Sequence, residues 1–179
     1  MQMTSAQFLM LGDNPPGVRL ELAHGEILLT PEADMKHSRV LLKLMVLLER
    51  HNRRHKLGEL LTYVNTVFDP YNTRRPDLSF VGRRRNLVDD QAVRGPPDLC
   101  VEILSPGTEQ IDRGDKFRLY EDRGVKHYWI VDPADRVIES YTRVRDKFQR
   151  RVKGGSGKTL QLPPFNNLKI PLAEIGGDG

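Results

Sequence analysis

Residues 18–31, VRLELAHGEILLTP, alternate apolar and polar positions on both sides of Gly25, which predicts an opening β-hairpin. The period then changes. Between residues 34 and 54, His37, Val40, Leu41, Leu44, Met45, Leu47 and Leu48 recur at helical spacing ahead of a polar HNRRHK tail, as in an amphipathic helix. Three alternating or β-branched runs follow, LLTYVNTVF (60–68), DLSFV (77–81) and DLCVEIL (98–104), separated by Asn, Pro and Gly. Ser105-Pro106-Gly107 ends the third run, and Thr108 is placed to N-cap a helix over 108–122 with Gly124 as its stop. HYWIVD (127–132) and RVIESYTR (136–143) flank a turn at Pro133-Ala134-Asp135, and KFQRRV, LQL and LKIPLAEI complete the chain. Gly154-Gly155-Ser156-Gly157, between two apolar segments, reads as a hairpin loop. This order predicts an α/β (α+β) fold, a central mixed β-sheet flanked by helices with additional antiparallel hairpins, in a single domain over residues 1–179.

At 179 residues the chain can bury a core without staples, and its single cysteine excludes an internal disulfide framework. Cys100, in mid-strand beside Val101, reads as a small core residue. No apolar run reaches the roughly 18 residues that span a bilayer, and the N-terminus lacks the basic region of a signal peptide, so a cytoplasmic protein with no membrane partner is expected. The net charge of +4 is unevenly spread. Arg53-Arg54, Arg74-Arg75, Arg83-Arg84-Arg85 and Arg150-Arg151 with Lys153 form basic clusters. Such clusters suit a polyanion whose phosphates release counterions on binding, although each alone is more often a solvated loop. Arg83, Arg84 and Arg85 are the candidates for nucleic-acid contact.

The acidic positions carry the chemistry. Asp98, Cys100 and Glu102 share one face of a period-2 strand while Leu99, Val101 and Ile103 point the other way, so that strand bears acid on one side only. Asp77 begins the preceding strand, and Lys116 lies on the following helix one turn beyond Asp112. If DLSFV and DLCVEIL pair, Asp77 and Glu102 converge as oxygen ligands for a hard divalent cation, Mg²⁺ or Mn²⁺, with a backbone carbonyl beside Glu102 to complete the shell. Such a site would hydrolyse phosphodiesters. On residues alone, Lys116 reads more readily as a surface i,i+4 partner of Asp112 than as a catalytic group.

Gly25-Glu26, His37 at a helix start, Pro76-Asp77, the stretch from Pro97-Asp98 to Pro106, Asp112 with Lys116, and GVKHYWIVDP up to Pro133 occur here in one order. In this combination the chain resembles a bacterial family of restriction endonuclease-like domains in the PD-(D/E)xK nuclease superfamily, over about residues 20–141. The resemblance implies a Mg²⁺-dependent endonuclease acting on nucleic acid, DNA first, and leaving a 5′-phosphate. It implies Asp77, Glu102 and Lys116 as catalytic residues, with Asp77 and Glu102 on the metal. One departure stands out. The lysine of a (D/E)-x-K strand would fall at position 104, which is Leu104, so the role passes to Lys116 on the next helix. By the same resemblance, Glu26 is a further metal or water ligand and His37 supports the site or touches phosphate. Asp98, two pleats from Glu102, orients ligands or caps the strand.

Two decoys are set aside. GGSGKT lacks the first glycine of a phosphate loop, since that position is Val152, and no helix pattern follows. Tyr128 and Trp129 lie in an apolar strand and read as core rather than as a base-stacking platform. Two other functions compete with the nuclease: a nucleic-acid-binding or regulatory module of the same fold without turnover, and an oligomerising domain whose carboxylates only make salt bridges. Double-strand cutting would need two sites, which a homodimer would supply.

Overall fold

The structure is a computed structural model that describes residues 2–12, 14–155 and 157–175. In chain order the elements are α1 (Ser5–Leu9), β1 (Val18–Ala23), β2 (Glu26–Pro31), α2 (Met35–His55), β3 (Gly58–Leu61), β4 (Thr66–Asp69), β5 (Asn72–Arg74), β6 (Leu78–Gly82), β7 (Val93–Arg94), β8 (Leu99–Ile103), α3 (Glu109–Arg113), α4 (Asp115–Arg123), β9 (His127–Asp132), β10 (Val137–Val144), β11 (Lys147–Gly154), β12 (Thr159–Leu162), β13 (Phe165–Pro171) and α5 (Leu172–Ile175). The central six-stranded sheet runs β11-β10-β9-β8-β6-β3, a second sheet runs β2-β1-β5-β4-β7, and β12 pairs with β13. The parallel β8–β9 pair among antiparallel neighbours makes the central sheet mixed, as the sequence predicts.

The α2 helix begins at Asp34, whose side chain accepts the His37 N–H, and ends on Lys56 in the left-handed region. Its stripe of Val40, Leu41, Leu44 and Leu48 packs on the face of the central sheet bearing Leu99, Val101, Ile103 and Trp129. The opposite face buries Cys100, Tyr128 and Ile130 against Leu119 and Tyr120 of α4. The acid-bearing side of β8 therefore faces α4, and the apolar side faces α2. Tyr128 and Trp129 are both fully buried, on opposite faces of β9.

Beyond α2 the chain is tied down by one side chain. Asn52 Nδ2 donates to the Gly58 carbonyl and Asn52 Oδ1 accepts the Gly58 N–H, each at 3.0 Å, which fixes the turn from helix into edge strand. Replacing a buried residue that makes two such bonds orphans both backbone groups. Asn52→Ala is expected to lower stability by roughly 1–3 kcal/mol in urea unfolding, without change in the far-UV spectrum.

Three elements depart from the sequence reading. Residues 60–68 are not one strand: β3 belongs to the central sheet and β4 to the second, with the chain turning at Tyr63, which has φ 55°. The helix expected over 108–122 is two, α3 and α4, broken at Gly114, and the Thr108 side chain makes no capping hydrogen bond. A Cβ at Gly114 would lie 2.6 Å from the Gln110 carbonyl oxygen, so the break needs glycine. The glycine-rich segment at 154–157 links strands of different sheets and is not a hairpin loop; Ser156 lies outside the described residues. The short α1 was missed, although Thr4 and Gln7 form a reciprocal capping box that the sequence contains.

Candidate active site

Antiparallel pairing of Leu78 with Val101 brings Asp77, just before β6, beside Glu102 at one end of the central sheet. The loop after β8 leads to α3, and Gly114 redirects the chain so that the first turn of α4 lies over Glu102. Lys116 Nζ lies 3.0 Å from Glu102 Oε2, 3.1 Å from Asp112 Oδ1 and 3.6 Å from Glu21 Oε1. The Lys116 side chain is only 7% exposed, which rules out a solvated surface pair with Asp112. Tyr120, one turn further along α4, donates its hydroxyl proton to Glu102 Oε1 at 2.6 Å.

Asp77 is held as firmly. Its Oδ2 accepts the Ile103 N–H at 2.7 Å and lies 2.9 Å from His37 Nε2, while Oδ1 accepts Arg19 Nη1 at 3.3 Å. The Tyr63 hydroxyl lies 3.4 Å from His37 Nδ1, and the Arg19 guanidinium lies over the Tyr63 ring. His37 thus supports Asp77, and it also forms part of the wall of a cavity of about 330 Å³ shared with Asp34, Leu104, Ser105 and Asp132.

Four carboxylates, Glu21, Asp77, Glu102 and Asp112, are buried around one ammonium. Burial, together with the neighbouring charges of Asp112, Asp77 and Glu21, pushes the Glu102 carboxyl well above its ordinary range despite Lys116. Asp112 moves up for the same first reason. Burial also opposes ionisation of Asp77, but the His37 contact, the Lys116 charge and the Ile103 N–H outweigh it and hold its carboxyl below the usual value. Lys116 is held well above an ordinary lysine, because the surrounding carboxylates overcome the cost of burying its charge. Burial and the Asp77 charge raise the Tyr63 hydroxyl to about 12.

The donor set consists of hard carboxylate oxygens in anionic excess, which is the chemistry that Mg²⁺ or Mn²⁺ requires. Among the described residues, no three Asp, Glu, His or Cys side chains form a ready cage for a metal ion, and it is the Lys116 ammonium that lies between Glu21, Glu102 and Asp112. Asp77 and Glu102 fit a cation by ligand type and charge.

The remaining sequence candidates lie elsewhere. Glu26 is exposed at the start of β2, and the buried acid of the opening hairpin is Glu21, whose Oε1 also accepts the Arg75 N–H at 2.9 Å. The expectation for Glu26 is corrected accordingly. Asp98 shares a strand face with Glu102 but sits at the opposite strand end, where its Oδ2 accepts the Gly82 N–H at 2.8 Å and its Oδ1 lies 2.6 Å from Lys126 Nζ. It caps the strand edge and is not a ligand of this cluster. Arg83, Arg84 and Arg85 follow the far end of β6, roughly 20 Å of strand from Asp77. Arg19 and Tyr120 were missed; Tyr120 was detectable, four residues from Lys116 on one helix face.

No helix among the described residues is long and apolar enough to cross a membrane. An uncharacterized protein of Synechocystis sp., slr1290, is 35% identical to this chain over 81 residues, 45% of this chain and 42% of that protein. The match thus spans less than half of that relative's length. A crystal structure described as a putative nuclease belonging to DUF820, from Anabaena variabilis, superposes with a TM-score of 0.78 at 18% identity, covering 97% of each chain. It establishes the shared fold. A family model described as "Putative restriction endonuclease", Uma2, matches residues 5–173, nearly the whole length, and the chain belongs to that family.

Proposed function

We propose that this chain is a metal-dependent nuclease that hydrolyses phosphodiester bonds of nucleic acid, DNA first, with Asp77, Glu102 and Lys116 as its catalytic residues. The observation that carries the reading is the convergence of two strand-borne carboxylates and one buried helical lysine at the same sheet end, in a chain of this family. Asp77 and Glu102 would hold Mg²⁺ or Mn²⁺, which when bound neutralises phosphate charge and acidifies a water. The Lys116 ammonium, oriented by Glu102, Asp112 and Glu21, offsets charge that builds on the phosphate as the bond breaks. His37 and Arg19 fix the Asp77 carboxylate, and Tyr120 fixes Glu102, so both acids are preorganised.

A module of the same fold without turnover is favoured by one feature: both Asp77 oxygens are already engaged and Lys116 fills the space between the other acids. Purified protein incubated with plasmid, single-stranded DNA and RNA, each with Mg²⁺, Mn²⁺ or EDTA, separates the two. The nuclease reading expects cleavage with either metal and none in EDTA. Intact substrates under all conditions would leave the binding module.

A further inference from the structure

At the end of the central sheet away from the acid cluster lies a cavity of about 460 Å³. It opens where β6 ends and β8 and β9 begin. Its rim carries Arg83, Arg84, Arg85 and Lys126, and Leu57, Phe80 and Pro164 line it with apolar surface. One acid, Asp98, faces these cations. Its Oδ1 lies 2.6 Å from Lys126 Nζ and 3.4 Å from Arg85 Nη1, and Arg85 also donates to the Pro96 carbonyl at 2.8 Å. Asp98 therefore positions two of the cations and neutralises only one. Arg83 and Arg84 are exposed, and among the described residues no carboxylate pairs with either. His127, also on the wall, is lowered to about 4 by burial, so it is neutral at pH 7 and adds neither charge nor repulsion. The result is a concave site with surplus positive charge at its rim and a small apolar surface, one part of it aromatic, beside it.

We propose that this cavity binds the phosphate of a nucleotide, Arg83, Arg84 and Lys126 taking the phosphate oxygens and the Phe80, Leu57 and Pro164 surface taking the attached ring. Guanidinium groups match phosphate geometry, and a phosphate without an apolar appendage would leave the floor uncovered. The site is separate from the acid cluster and does not rest on the nuclease reading. Its occupant is a free mononucleotide or the phosphorylated end of a strand.

Calorimetric titration of the full chain in EDTA tests this, with adenosine 5′-monophosphate, adenosine, and a short single strand carrying a 5′-phosphate. Adenosine monophosphate is expected to bind and adenosine is not. The Arg83→Ala, Arg84→Ala double variant is expected to weaken nucleotide binding by at least about tenfold with its unfolding midpoint unchanged, because both side chains are exposed and unpaired. Glu102→Gln should bind it as wild type does. Tighter binding of the phosphorylated strand than of the mononucleotide identifies a strand end as the occupant, and the reverse order identifies a free nucleotide. Absence of binding at millimolar nucleotide, or equal affinity in the double variant, overturns the proposal. So does loss of binding in Glu102→Gln, which would move the nucleotide to the acid cluster and leave the nuclease reading standing.

Discussion

Lys116→Ala is expected to lose about 3–5 kcal/mol of stability at pH 7, a large part of what a domain of this size possesses. The lysine is buried, and its removal leaves Glu102, Asp112 and Glu21 facing one another without their shared cation. A solvated i,i+4 pair would cost at most about 0.5 kcal/mol, so urea unfolding distinguishes the two situations directly. The loss should depend on pH in a definite sense. In the native variant the carboxyl groups of Glu102 and Asp112, already displaced upward in the wild type, move further above their unfolded values. The native state then binds more protons than the unfolded chain, and stability falls as pH rises from about 4.5 toward 8. The deficit against wild type should therefore be largest near pH 8 and shrink toward pH 5. On the proposed nuclease reading, cleavage by a variant that remains folded is expected to fall by on the order of 10²–10³, since the ammonium would then hold phosphate charge more strongly in the transition state than in the ground state. A variant that unfolds and cuts like wild type would place Lys116 outside the machinery.

The parts of this site that the sequence made legible share one property: they follow from local period and from the order of elements. The parity of Asp98, Cys100 and Glu102 on β8 predicted one acid face and an apolar face opposite it; both hold, and the structure sets the apolar face against α2. Parity says nothing, however, about position along a strand. Asp98 and Glu102 share a face yet end up at opposite ends of the sheet, one among Arg85 and Lys126 and the other beside Lys116. The exchange of Glu26 for Glu21 has a different origin. A hairpin exposed on one face would expose Glu21 too, but its carboxylate is enclosed by the Arg74 guanidinium and the Arg75 N–H at the end of β5 and by Lys116 of α4. That covering is tertiary and leaves no trace in the alternation. The division of residues 60–68 is likewise a choice between two sheets, and only the positive φ of Tyr63 records it.

Glu102→Gln is expected to abolish Mn²⁺ binding and cleavage while keeping the fold, and Asp77→Asn to lose all three in part or whole. The contrast follows from what each carboxylate accepts. At Glu102 a carboxamide can keep its oxygen toward Lys116 and turn its amide toward Tyr120, whose hydroxyl can rotate to accept. The substitution also removes one negative charge from a cluster in which the other acids already push Glu102 upward, so native stability should hold or rise. Asp77 has no such freedom. One of its oxygens takes the Ile103 N–H and faces His37 while the other takes Arg19, so an amide must set a donor against a donor on one side, at roughly 1–3 kcal/mol. Calorimetry with Mn²⁺ on wild type and Glu102→Gln, alongside urea unfolding of both variants, reads each part separately. Equal Mn²⁺ affinity in wild type and Glu102→Gln would remove Glu102 from the metal site. Asp77→Asn as stable as wild type would mean that the network of His37, Arg19 and Ile103 does not hold that carboxylate.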